Sequence, residues 1–328
     1  MEIRRLQTTR DGTFLLSLPK EWAKRFNLHK GSPIYVKERM DGCLVLDPKY
    51  GVEETPEVTL KPSKSLKDAI LSSYLLGYGV ITIEADGRLE EEDKAKVRQA
   101  ASRLIGVEVI EEDQRRITLQ CLLQATAIPP EKILRRQYIL SRSLLKDSFK
   151  ALLSPSPKMV EEVRDRDEEV DRLYFLMVRL LRSLILNPRL SEKLGISPID
   201  CLDYRLAASL VERIADTSVE LASLAYRSKT QGKIPPKLFS LLKETGERLS
   251  EAYEEALKAL FTRDEKNFNS ALKGVELAAL TLEKLESEAL RHRGSPPILY
   301  ILLTLVRTLL DQIKDITDLA YPRPSTST

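Results

Sequence analysis

Residues 211–222 read VERIADTSVELA, and 99 residues later 310–321 read LDQIKDITDLAY. Each stretch places two acids four residues apart around an isoleucine: Glu212 and Asp216 flank Ile214, Asp311 and Asp315 flank Ile313. On a helix, side chains at i and i+4 share one face about 6 Å apart, while the residue between them turns elsewhere. A chain that makes the same two-faced helix twice is constrained to an internally repeated helical architecture. From Pro129 onward the pattern is helical almost throughout, with helices expected near 129–153, 156–187, 198–229, 235–262, 264–293 and 296–320. Proline- and glycine-bearing breaks separate most of them: SPSP at 154–157, NPRLSEKLGISP at 187–198, GKIPP at 232–236 and RGSPP at 293–297, with a TRDE joint at 262–265. Six helices in two sets of three, the last of each carrying the echoed segment, predict a duplicated three-helix bundle.

The second helix of the first set adds DEEVD at 167–171, which pairs Asp167 with Asp171. If helices two and three pack antiparallel, this pair and Glu212/Asp216 converge. Four carboxylates repel one another unless a cation sits among them, and hard oxygen ligands favour Mg²⁺, Ca²⁺, Mn²⁺ or iron. In the second set, VRDRDEEVDRL at 163–173 aligns with VELAALTLEKL at 275–285. Ala279 then stands where Asp167 does, and the site is reduced to Glu283, Asp311 and Asp315. The alternative is that these acids are ordinary helix-surface charge, neutralised by Arg172, Arg213 and Lys314 beside them.

At 328 residues, 42% apolar and 31% charged, the chain is expected to fold into two or three soluble domains. The longest apolar run, ILYILLTLV at 298–306, is too short to span a bilayer and ends at Arg307. The charged N-terminus does not read as a signal peptide, so a cytoplasmic location is expected. Cys43, Cys121 and Cys201 are isolated, which points to a reducing compartment and away from a structural zinc site. The two histidines, His29 and His292, exclude HExxH chemistry. A carboxylate-bridged di-iron site needs Glu-x-x-His pairs, and His292 has Ala289 three residues before it, so no enzyme is expected.

Residues 1–50 hold ten Lys/Arg against six Asp/Glu, a net +4 in a chain whose total is +3. They read strand, turn, strand, short helix, strand, hairpin, strand. Asp11-Gly12 and Asp41-Gly42 mark the hairpins, Pro19 opens the helix, and Lys30-Gly31 closes it. Four short strands and one helix make a small core, so an obligate dimer is expected. After a turn-rich joint, residues 57–125 predict a small α/β domain with strands at 57–62, 79–85, 107–113 and 115–123 and helices at 63–78 and 89–106. It carries no phosphate-binding glycine loop, and its role is not legible. Residues 323–328 are expected to be a disordered tail.

Two resemblances organise these readings. The segments RRLQ (4–7), LLSLPKEWAK (15–24), HKGSPIYV (29–36) and DGCLVLDP (41–48) resemble the AbrB/MazE/SpoVT DNA-binding family. That resemblance implies a swapped-hairpin β dimer offering Arg4, Arg5, Arg10, Lys20, Lys24 and Arg25 to DNA. Residues 129–322 resemble the PhoU phosphate-uptake regulators, two three-helix repeats marked by Glu/Asp-x-x-x-Asp pairs. ERIAD at 212–216 matches that mark, DQIKD at 311–315 matches with Asp for Glu, and DEEVD fits the helix-two position. The implied ligands are Asp167, Asp171, Glu212 and Asp216, with Glu283, Asp311 and Asp315 in the depleted copy. The implied cofactor is a divalent or ferric cation (Mg, Mn, Ca, Fe or Zn). Together the two point to a mainly α, multidomain, dimeric or higher-order regulator that couples a phosphate-related helical half to DNA. The alternative is a cytoplasmic adaptor of a phosphate transporter or signalling protein, with an N-terminal domain that only dimerises.

Overall fold

A computed structural model describes residues 3–38, 42–48, 55–123, 128–228, 234–292 and 296–322. Asp41 of the second expected turn and the 323–328 tail lie outside the described residues. The chain forms two compact units, Met1–Thr55 and Pro56–Thr328.

In the first unit β1 (Gln7–Thr8) pairs antiparallel with β2 (Phe14–Leu15). Gly12 turns the tip with φ +86°, a conformation that costs glycine nothing, and the Thr9 N–H donates to the Thr13 carbonyl at 2.9 Å. Pro19 stands at the cap of α1 (Lys20–Arg25), and Trp22 meets Phe26 edge to face with centroids 5.4 Å apart. β3 (Tyr35–Glu38) and β4 (Leu44–Asp47) form the second antiparallel pair. No described residue of this unit is buried. Ile3 is 88% exposed, Phe14 70% and Leu44 65%, so the apolar faces of both hairpins lack a cover among the described residues of this unit.

The second unit begins with β5 (Glu57–Leu60), α2 (Leu66–Leu75), β6 (Val80–Glu84), α3 (Glu91–Ser102), β7 (Val107–Glu112) and β8 (Arg116–Cys121). β5 and β6 are parallel, joined through α2, and the sheet order is β5-β6-β8-β7 with β8 antiparallel to both neighbours. Ile81 pairs with Leu119 and Ile83 with Ile117; all four are buried under Leu66, Ile70, Tyr74 and Val97 of the two helices. Ser65 occupies the cap position of α2 without making a side-chain cap bond.

The helices follow: α4 (Pro130–Leu153), α5 (Pro157–Leu186), α6 (Pro188–Leu194), α7 (Pro198–Ser228), α8 (Pro236–Thr262), α9 (Glu265–Arg291) and α10 (Pro297–Leu319). Proline opens all but α9, where its fixed φ and missing N–H suit the first turn. α9 instead starts at Asp264, whose carboxylate accepts from the Asn267 N–H at 2.8 Å. α6 was expected as part of a break. It forms because Asn187 accepts from the Arg189 N–H and Pro188 follows, and it ends at Gly195 with φ +65°.

α4, α5 and α7 pack as one set, α8, α9 and α10 as the other, and the echoed helices α7 and α10 lie against each other. Both sets share one continuous core, which includes Leu145, Leu181, Val211, Ile214, Leu249, Tyr253, Leu302 and Ile313. Between α7 and α10 the Gln312 amide donates to the Thr217 hydroxyl at 3.2 Å. The α/β layer sits on α5. Arg179 donates to the carbonyls of Tyr74 and Tyr78, both at 2.7 Å, and Arg182 to that of Leu75 at 3.2 Å. These cations meet carbonyls at and just past the end of α2.

Candidate functional site

α5 supplies Asp167 and Asp171, α7 supplies Glu212 and Asp216, and the packing of these two helices brings the acidic faces together. Asp171, Glu212 and Asp216 each offer a carboxylate oxygen, all within 4.8 Å of one another. Asp167 lies one turn away along α5, and its Oδ1 is buried without a hydrogen-bond partner. Burial, then the charges of Asp216, Asp171 and Glu212, push the Asp167 carboxyl up to about 7. Glu212 rises to about 7 through burial and Asp216, with Arg213 and Arg205 pulling the other way. Asp216 is raised by burial and by Asp171. Asp171 is raised by burial and held back by Arg103.

Asp167, Asp171 and Glu212 are partly buried and Asp216 is exposed, and carboxylates at this spacing hold either protons or a cation. Asp171, Glu212 and Asp216 are the residues that would hold a hard cation between α5 and α7, with Asp167 one turn away along α5. The neutralising groups expected from sequence were Arg172 and Arg213. The ion pair that forms comes from elsewhere: Nη2 of Arg103, just past the end of α3 in the α/β layer, donates to Asp171 Oδ2 at 3.1 Å. No sequence pattern signals it, because the two residues are 68 positions apart and belong to different layers.

The second set differs. Glu283, Asp311 and Asp315 are all exposed, and among the described residues the first-set cluster is the only group of three or more convergent acidic, His or Cys ligands. Ala279 packs against the core where Asp167 stands in the first set. Nearby, Arg307 pairs with Glu286, Nε to Oε1 at 2.9 Å.

In the first unit Arg4, Arg5, Arg10, Lys20, Lys24 and Arg25 are all exposed. Arg4 and Arg5 precede β1, Arg10 lies at its hairpin tip, and Lys20 and Lys24 are one turn apart on α1. Lys24 also meets Glu21 at 3.4 Å.

Fold and site define a repeated helical bundle that carries a carboxylate cluster between the second and third long helices of its first set. Residues 134–225 match the PhoU domain family. The match runs from α4 through α7 and contains all four first-set carboxylates; α8–α10, the α/β layer and the first unit lie outside it. A comparison with curated proteins finds no match. Among the described residues no helix is long and apolar enough to cross a membrane.

Proposed function

We propose that this protein regulates phosphate uptake, with a helical half that binds a hard cation at Asp167, Asp171, Glu212 and Asp216. Its N-terminal unit dimerises and offers basic side chains to DNA. The observation that carries the reading is the cluster of Asp171, Glu212 and Asp216 within 4.8 Å, inside the stretch that matches the PhoU domain. The exposed Arg4, Arg5, Arg10, Lys20, Lys24 and Arg25 of the first unit support the DNA contact, since clustered cations gain affinity by releasing counterions from phosphates. The test for the helical half is calorimetric titration of metal-stripped protein with Mn²⁺. Wild type binds, Asp216→Asn weakens binding about tenfold or more, and Asp315→Asn leaves it unchanged. Absence of binding in wild type, or equal effects of the two substitutions, sinks the cation reading. For DNA, replacing Arg4, Arg5 and Lys24 with Ala lowers affinity across sequences and flattens its salt dependence; an unchanged salt slope removes the DNA role.

A second reading rests on one observation. No described residue of the first unit is buried, and dimerisation alone would account for that. The protein would then act as an adaptor of a phosphate transporter or signalling partner, and the same salt titration separates the two.

A further inference from the structure

Arg103 faces two surroundings. On one side it pairs with Asp171; on the other it lines a groove of about 120 Å³ between α2, α3 and α5, together with Lys67, Asp68, Gln99, Leu104 and Phe175. The volume is several times that of one water and well below the roughly 300 Å³ where organic-ligand sites begin, so the groove suits a ligand of a few heavy atoms. Two cations face one carboxylate there. The ammonium of Lys67 is met by the Gln99 amide oxygen, a neutral acceptor that an anion outcompetes. The Phe175 ring centroid lies 5.8 Å from the Arg103 guanidinium and, with Leu104, forms the apolar side of the groove, whose Lys67, Gln99 and Arg103 are exposed.

We propose that this groove binds a small oxyanion, phosphate or carboxylate, through Lys67 and Arg103, and that Arg103 couples it to the carboxylate cluster. The coupling rests on the cation reading above. A cation that takes the Asp171 oxygens repels the guanidinium and leaves it without its acceptor. The α/β layer stays in place, because Arg179 and Arg182 hold the end of α2 independently of Arg103. Arg103 then turns fully to the groove, where an anion finds both cations uncommitted to Asp171. By linkage, the anion raises cation affinity by the same factor.

Neutralising Asp171 reproduces the release of Arg103 without any metal, so the groove is testable apart from the cation. Inorganic phosphate and acetate are titrated calorimetrically into the metal-stripped full chain. Asp171→Asn binds one of them about tenfold more tightly than wild type, and adding Lys67→Gln abolishes the gain; which ligand responds identifies the anion. Thermal melts establish that both variants are folded. A gain absent in Asp171→Asn, or one that survives Lys67→Gln, overturns the proposal. In a second arm Mn²⁺ is added to wild type and to Lys67→Gln. A Mn²⁺-dependent gain lost in Lys67→Gln supports the groove, whereas one retained places the anion on the metal and overturns it. If wild type takes up no Mn²⁺ yet Asp171→Asn still gains anion affinity, the cation reading fails and the groove stands.

Discussion

Asp167 and Glu212 carry their carboxyls at about 7, with burial the leading cause in both. A folded-state pKa raised above the ordinary value near 4 means that the native chain keeps protons the unfolded chain has released. Between roughly pH 4 and 7 the native state therefore binds more protons, and stability falls as pH rises. Metal-stripped protein melts at a higher temperature at pH 5 than at pH 8, by a stability difference on the order of 1 kcal/mol once solvent screening is allowed for. Asp167→Asn reduces that slope and raises the pH 8 melting temperature; a steeper slope in the variant contradicts the assignment. Asp147, held below the usual range chiefly by its bonds to Lys150 and Arg166 against the cost of burial, acts at lower pH and leaves this window undisturbed. A second residue-level outcome concerns the buried junction of α4, α7 and α8. The Ser141 hydroxyl donates to the Val211 carbonyl and lies 3.1 Å from the Tyr253 hydroxyl. Tyr253→Phe keeps the ring and loses that bond, costing about 1 kcal/mol by chemical denaturation.

Between α4 and α8 a missing side chain permits a close approach. Gly246 of α8 faces the ring of Phe149 on α4, and a Cβ there would lie 2.5 Å from two ring carbons. Gly246→Ala forces α4 and α8 apart and costs about 1–3 kcal/mol, read as a lowered melting temperature. Adding Phe149→Leu recovers part of the loss, since a smaller side chain gives way; no recovery would mean that the helix backbones set the limit. The long helices were legible in sequence because proline marks nearly every start and 3.6-residue periodicity marks every interior. The contact between Gly246 and Phe149 was not legible, because a glycine inside a helix gives no indication of what it faces.

For the whole molecule, the proposed assembly rests on the first unit. Phe14, Leu16, Val36 and Leu44 on and beside its hairpins are exposed, and in the proposed dimer a second copy would cover them. Full-length protein sediments as a dimer or larger at micromolar concentration, and removing residues 1–55 yields a monomer of the remaining unit. A monomeric full-length chain contradicts the assembly, and a dimer that persists after the deletion moves the interface to the helices.

What the sequence determined by itself is local. Element type and approximate bounds follow from periodicity and turn residues. The acid pairs follow from i, i+4 spacing, and the missing acid of the second copy follows from Ala279 opposite Asp167. Each of these is a relation between residues within a turn or two of one another, or between two copies of one pattern. Only tertiary structure decided that α7 and α10 lie side by side within one shared core, that Asp171, Glu212 and Asp216 converge, and that Arg103 from another layer is the cation that meets them. Such contacts depend on how helices and sheet stack, which is fixed by the shapes and volumes of many buried side chains acting together, and no single stretch of sequence encodes them.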